Sequence, residues 1–398
     1  MSVVAVRRRL RICLMSWRDL AHPQAGGSEV VVDRLARGAV AHGHDVTLMT
    51  GGPVAAPRPY RIIRTGGDYT QYLATPLAYR RNADRWDVVV DVENGIPYFA
   101  PLWQRKPVVC LVHHVHGEQW GWRFPWPVSA AGDLIERHGM PAAYRDCLFL
   151  AVSRSTARAL AEIGVDPGRL RVMDLGVDRP EVPPAAETSD EPLFVALGRL
   201  VPYKRIHLLL DVWRRVQRAT GGRLVIVGDG PERERLEALG TPGVTFAGRV
   251  PDEQKWEILS RAWCMLQPAI HEGWGVSVIE AASMGTPAIA FDVPGLRDAI
   301  VQGQTGMLVG SHQEFVDAWV RIASDHAERR RMSDAALRAS RAFTWERSVD
   351  TFLGVVEEAL GRSGQALPRD VRRTSRTRRS SREAAPIAAS GASVTVAR

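Results

Sequence analysis

The sequence predicts an α/β chain built as two doubly wound domains facing each other across a cleft, and three observations carry that reading. The chain has 398 residues, too many for one ordinary core and about right for two. Short apolar, β-branched runs alternate with helix-period segments through most of its length, and the series is run twice. Between the two series lies a hydrophilic stretch with clustered prolines, Pro180 to Pro192, which reads as a linker. The boundaries that follow are a first domain over 1–182, a linker over 183–192, a second domain over 193–344, a helix over 345–362 and a basic tail over 363–398.

In the first half the expected strands are Arg11–Met15, Asp45–Thr50, Trp86–Val92, Val108–Val112 and Cys147–Val152. Between the first two, Ser28–Ala41 places Val31, Val32, Leu35, Ala39 and Val40 on one helix face, and Gly43 closes it. A strand, a helix and an immediate second strand make a βαβ unit, hence a parallel sheet. The second half repeats the pattern with strands at Leu193–Leu197, Leu224–Val227, Val244–Phe246, Cys264–Gln267, Pro287–Phe291 and Met307–Val309. Trp345–Leu360 is strongly helical in period. Ligands of such sheets bind beyond the carboxyl ends of the strands, where strand order switches.

Composition narrows the class. A 45% hydrophobic share is that of a globular protein. The run from Leu10 to Met15 after Arg7-Arg8-Arg9 is too short for a secretory signal, and no apolar run has spanning length. The expected location is the cytoplasm, with contact at the inner face of a membrane as an added expectation. Cys13, Cys110, Cys147 and Cys264 lie far apart in apolar runs, which fits reduced core cysteines. The net charge of +8 is mostly local, because the tail holds eight arginines against Asp370 and Glu383, a net +6. The body is nearly neutral, so the high pI says little about the active site; the tail, poor in large apolar residues, is expected to be disordered, either solvated or in electrostatic contact with anionic lipid or nucleic acid, and nucleic acid is not the expected partner.

Four constellations carry chemistry. Ala25-Gly26-Gly27-Ser28-Glu29 opens the first helix, with Ser28 as the expected N-cap; it is either a turn or an anion-binding helix start. Arg199 and Lys204 bracket a proline turn after the strand Leu193–Leu197, either solvated loop cations or a geometry able to stabilise a departing diphosphate. His271 to Pro287 runs from a glycine-rich loop (Gly273-Trp274-Gly275) into a helix from about Val276. Its helix N-terminus suits a diphosphate, and Glu272 and Glu280 are acceptors for paired sugar or ribose hydroxyls, or else a capping arrangement. His113-His114-Val115-His116 follows Val108–Val112; no acid or cysteine stands at a matching ligand spacing, so hydrogen bonding to a substrate hydroxyl is expected and a metal is not.

Together, Gly26-Gly27-Ser28-Glu29, Gly198-Arg199-Leu200 with Lys204, Val225–Gly230, Phe246-Ala247-Gly248, and Glu272 and Glu280 with Gly285-Thr286-Pro287 resemble the family 4 glycosyltransferases over about residues 10 to 360. The resemblance implies the GT-B fold, two Rossmann-like domains facing across a cleft, with the last helix crossing back to the first domain. It also implies retaining, metal-independent transfer of a sugar from a nucleotide-sugar donor, a substrate and not a cofactor. Carried over by position, Arg199 and Lys204 hold the diphosphate, Glu272 the donor sugar and Glu280 the ribose. The backbone of Gly273 to Val276 meets sugar and phosphate, Gly26 and Gly27 line the junction with the acceptor, and His113 bonds the transferred sugar. Two departures stand out: Arg205 where many relatives have glycine, and Trp274 in place of phenylalanine.

The acceptor side is expected in the first domain. Trp120, Trp122 and Trp126 crowd into seven residues, a sugar-stacking platform, a membrane-interface loop or buried packing. Arginines 58, 61, 64, 80, 81 and 85 add a basic face for an anionic lipid, so a glycan, lipid or small-molecule acceptor is expected. Competing readings are a GT-B sugar-nucleotide epimerase and an anionic-surface or nucleic-acid binder acting through the tail.

Overall fold

The computed structural model describes residues 8–54, 57–180 and 188–363. Residues 183–187, half of the expected linker, and nearly all of the basic tail fall outside these residues.

The first sheet is wholly parallel. It comprises β1 (Arg11–Arg18), β2 (Asp45–Gly51), β3 (Arg61–Arg64), β4 (Val88–Glu93), β5 (Val108–Val112), β6 (Leu148–Ala151) and β7 (Leu170–Val172), in the order β3-β2-β1-β4-β5-β6-β7. The second, also parallel, comprises β8 (Leu193–Leu197), β9 (Arg223–Val227), β10 (Val244–Gly248), β11 (Cys264–Gln267), β12 (Ala288–Phe291) and β13 (Gly306–Val309), in the order β10-β9-β8-β11-β12-β13. Strand order reverses between β1 and β4, and again between β8 and β11. Those are the two crevices at which such sheets bind ligands.

Both sheets are covered on both faces, and side-chain alternation sorts each strand between them. On β1, Ile12 and Leu14 join Val31 and Leu35 of the Gly27–Ala41 helix, while Cys13 and Met15 face Tyr79, Met140 and Tyr144. On β8, Phe194 and Ala196 pack with Leu209, Trp213 and Trp319, while Leu193 and Val195 face Val278, Ala281 and Leu296. The sequence reading missed β3 and β7. They are edge strands of four and three residues, too short to show a period.

The last helix, Trp345–Arg362, lies on the first sheet, with Phe352, Leu353 and Val356 in the Ile12/Leu14 core. Each such side chain contributes about 1.5–3 kcal/mol when fully buried. Gly38 lets this helix approach the Gly27–Ala41 helix, since a Cβ there would lie 2.2 Å from Val349 Cγ2. Polar contacts fix its start: the Ser348 hydroxyl accepts from the Gly176 N–H at 2.8 Å, and Trp345 Nε1 donates to Asp178 at 2.9 Å.

The expected cap at Ser28 is corrected. The helix starts at Gly27 with Gly26 at the N-cap. Ser28 already lies in the first turn, and the Glu29 carboxylate accepts from the Gly26 N–H at 2.7 Å and the Ser28 hydroxyl at 2.9 Å. A carboxylate three residues on thus satisfies the helix opening in place of a cap side chain. No helix among the described residues is long and apolar enough to cross a membrane.

Candidate active site

The fold brings the constellations together at the two switch points. Lys204 follows β8 in a short turn, and its ammonium forms an ion pair with Glu272 from the loop after β11. Gln267, the last residue of β11, is buried and donates to Glu272 at 3.3 Å and to the Ser277 hydroxyl at 3.1 Å. It ties the loop to the first turn of the Val276–Ser283 helix. Sequence reading missed Gln267, because a polar strand terminus has no pattern of its own.

Arg199 is exposed and reaches the opposite domain, where a Cβ on Gly26 would lie 3.9 Å from its Cδ. Gly26 and Gly27 have no local need to be glycine. Gly26 is extended (φ −144°), and a Cβ on Gly27 would meet open space. What glycine supplies there is an uncovered backbone facing the cleft.

Gly273 is different. A Cβ there would lie 2.8 Å from the carbonyl oxygen of His113 at the end of β5, so the second domain's loop rests on the first domain's backbone. Gly275 has φ +84° and caps the Val276–Ser283 helix, a left-handed position that suits only glycine well. Val276 is partly buried against the first domain's core. The Trp274 indole is 3% exposed and packs edge-on against Phe343, with ring centroids 5.1 Å apart. The Trp274 side chain thus has no open face to offer, and the donor contact expected of this segment is left to its backbone.

Glu280 lies on the same helix and is ion-paired with Lys255 at 2.8 Å; Lys255 also reaches Asp252 at 2.9 Å. Burial pushes the Glu280 carboxyl up, with Lys255 opposing, while the two acids keep the Lys255 ammonium charged against its own burial. Lys255 was not singled out from sequence. It is 25 residues from Glu280, and only the packing of two helices joins them.

His113 is buried, which pushes its imidazole down to about 4, so it is neutral near pH 7. Its Nε2 has no hydrogen-bond partner among the described residues. An orphaned buried ring nitrogen at a strand end is a ready contact for a ligand hydroxyl. His271 is also pushed down to about 4 by burial, and its Nε2 accepts from Gln119 of the first domain at 2.8 Å. Asp298 makes another bridge between the domains, accepting from the Ser155 N–H at 2.7 Å.

The histidine run also has partners that its spacing did not show. Ligand-type atoms of Glu93, His116 and Glu136 lie within 4.8 Å of one another. Glu136 is committed elsewhere: it accepts from the His116 N–H (2.6 Å), the Gly117 N–H (2.8 Å) and Trp120 Nε1 (3.1 Å). It is a clamp on the loop after β5. Trp120 is corrected accordingly: it is 6% exposed and packed on Gly132, so it offers no stacking platform. Trp122 and Trp126 are 53% and 81% exposed. Among the basic residues, Arg58 is corrected too, since its side chain is largely covered and lies 3.4 Å from Asp33 and 3.8 Å from Asp19. Arg61, Arg64, Arg80, Arg81 and Arg85 are exposed.

Arg205 adopts φ +53°, the left-handed conformation that favours glycine. The glycine that the resemblance implies at this place would be unstrained; here the side chain is bonded to His312 and lies 5.0 Å over the Phe291 ring.

Comparison with known proteins bears on the whole arrangement. The model of Glycosyltransferase Family 4 matches residues 25–180, and that of Glycosyl transferases group 1 matches residues 178–339. The chain is 27% identical to an MMP alpha-(1->4)-mannosyltransferase of Mycolicibacterium hassiacum, over 89% of this chain and 99% of that one. It is 30% identical to a D-inositol 3-phosphate glycosyltransferase of Nocardia farcinica, a match that spans only 59% of this chain and 57% of that one. Among solved structures, sucrose-phosphate synthase from Thermosynechococcus elongatus superposes with a TM-score of 0.75 at 21% identity, over 89% of this chain and all of that one. The Anabaena HepE complex with UDP and glucose superposes at 0.70 with 16% identity, over 88% of this chain and all of that one.

Proposed function

Because the chain is a family 4 glycosyltransferase of the GT-B fold, we propose that it moves a hexose from a UDP- or GDP-sugar to a glycan, lipid-linked or small-molecule acceptor, with retention at the anomeric carbon and without a metal ion. The observation that carries this reading is the meeting of Arg199 with Gly26 across the cleft, beside the Lys204–Glu272 pair. Two cations thus flank the place where a diphosphate leaves, next to an uncovered backbone from the other domain.

Each residue then has one task. Arg199 and Lys204 hold the diphosphate and stabilise its charge as the bond from the anomeric carbon to the phosphate oxygen breaks. Glu272 takes sugar hydroxyls and Glu280 the ribose, in part through carboxylate oxygens that Lys204 and Lys255 orient. His113, neutral and with a free Nε2, bonds a hydroxyl of the transferred sugar. This reading assigns no side chain as a nucleophile. The acceptor oxygen bonds the anomeric carbon on the face the phosphate leaves, and the acceptor proton passes to that phosphate. Four unpaired cysteines, three of them buried, support a reducing compartment such as the cytoplasm.

The test is a panel of UDP-, GDP- and ADP-hexoses, scored for slow donor hydrolysis and for binding with no divalent ion added. One UDP- or GDP-hexose is expected to bind and to be hydrolysed in a Lys204-dependent way. Failure of every donor, or strict dependence on a divalent ion, would overturn the reading.

A further inference from the structure

We propose that a cavity at the amino ends of the first sheet's strands binds a small phosphorylated anion, at a site separate from the cleft. The cavity has a volume of about 650 Å³, and the residues that lead into β1, β2, β3 and β4 bound it. That size is within the usual range of small-molecule sites. β1 is eight residues long, so roughly 25 Å of strand separates this end of the sheet from the end that faces the cleft.

The lining is lopsided in charge. Arg9, Arg11, Arg61 and Arg85 face it, against a single carboxylate, Asp45. Arg9 is ion-paired with Asp45. Arg11 meets Asp87 at 2.7 Å, but Asp87 is not in the lining and is offset by Arg8 at 3.8 Å. Arg61 and Arg85 are exposed, and no carboxylate among the described residues pairs with either side chain. Four guanidiniums against one carboxylate leave a surplus of three. The carboxyl end of the Gly27–Ala41 helix, whose Val40 also lines the cavity, takes back about half a charge. A ligand with two or more negative charges balances what remains. A carboxylate brings one charge and two oxygens, whereas a phosphate monoester brings about two charges and three acceptor oxygens.

The walls are set before any ligand arrives. Arg11 donates twice to Asp87 (3.2 and 2.7 Å) and once to the Asp84 carbonyl (3.0 Å), which fixes its plane and leaves two N–H groups open. Trp86 is 2% exposed and stacked on Tyr79, with ring centroids 5.0 Å apart. The Tyr60 hydroxyl donates to Asp33 of the Gly27–Ala41 helix at 2.7 Å. Binding therefore orders little beyond the Arg61 and Arg85 side chains, which keeps its entropic cost low. None of this depends on which donor the cleft takes.

The experiment is titration calorimetry of the full-length chain with inorganic pyrophosphate at about 0.15 M salt, where attraction between distant surface charges is screened. Pyrophosphate also suits the proposed donor cleft, so variants separate the two sites. Arg61→Gln with Arg85→Gln is expected to weaken one binding event at least about tenfold, the scale of a lost charge-assisted bond. The same variant should lose the rise in melting temperature that this event gives the wild type. The event should survive Lys204→Ala, which alters the cleft alone. It should also survive Arg214→Gln with Arg215→Gln, two exposed arginines of the second domain outside the cavity. The cavity pair and the control pair are all exposed, so melting without ligand should stay at the wild-type value. No pyrophosphate event in the wild type, an event unchanged in the Arg61 and Arg85 variant, or an equal loss in the control pair would each overturn the proposal. So would flotation with phosphatidylglycerol vesicles that needs Arg61 and Arg85 while pyrophosphate does not bind, since the two arginines would then serve a lipid surface.

Discussion

Lys204 and Glu272 neutralise each other inside the cleft, 68 residues apart in sequence and joined by side chains that are 12% and 16% exposed. The pair lets two largely covered charges sit together without isolated desolvation. It also holds Lys204 near Gly198, where a Cβ would lie 3.9 Å from the ammonium. On the proposed reading, a negatively charged donor would meet a cation already held in place and largely covered.

Removing either partner should therefore be costly to turnover. Lys204→Ala and Glu272→Ala are each expected to lower kcat for transfer at least about a hundredfold, the usual scale for a lost preorganised charge. Single-turnover assays at saturating donor measure this, and near-normal rates in both variants would sink the assignment.

Lys255 should act through Glu280. Lys255→Met keeps the chain length and removes the charge, leaving the Glu280 carboxylate without its 2.8 Å partner. A charge-assisted bond of about 1.5 kcal/mol corresponds to roughly a tenfold rise in donor KM, with a smaller change in kcat. If donor KM is unchanged while the melting temperature falls, the pair serves only the packing of its two helices.

Helix contact makes a separable stability prediction. Gly38→Ala places a methyl 2.2 Å from Val349 Cγ2 and should destabilise by about 1–3 kcal/mol. Adding Val349→Ala should recover part of that loss, although Val349→Ala alone is destabilising. Denaturant melts of the four proteins give the coupling directly.

Acid should weaken the fold through its buried histidines. His113 and His271 both sit at about 4, below their ordinary value, so the unfolded chain binds protons that the folded chain refuses. Stability is then full above about pH 6.5 and falls as pH drops toward 4, by up to about 1.4 kcal/mol per pH unit for each ring. His113→Gln is expected to flatten this slope by one ring's share. An unchanged slope between pH 7 and 4.5 would show that burial does not hold His113 neutral.

Much of this architecture is legible before any coordinates. β1, β2, β5, β8, β11 and β13 match apolar runs in the sequence to within a few residues, because a strand buried on both faces must be continuously apolar. The glycine and charge motifs sit at the strand ends where the switch-point rule puts them. Trp120 was not legible. Its neighbours in sequence suggest a surface cluster, but Glu136, sixteen residues on, holds its indole inside. Gln267, Lys255 and Gln119 escaped for the same reason: each has meaning only through a partner that the fold delivers from elsewhere. Arg205 is the reverse case, a departure visible in the sequence whose consequence, a left-handed backbone at a non-glycine residue, only the structure shows.

The close seating of Gly273 on the His113 carbonyl joins the two domains backbone to backbone. The donor loop and the end of β5 are one surface there, without a side chain between them to stretch or re-pack. Any movement that parts the two sheets must break this seat together with the Gln119–His271 and Ser155–Asp298 bonds. On the proposed reading, the loop that meets the donor and the strand end that bears His113 are therefore positioned together.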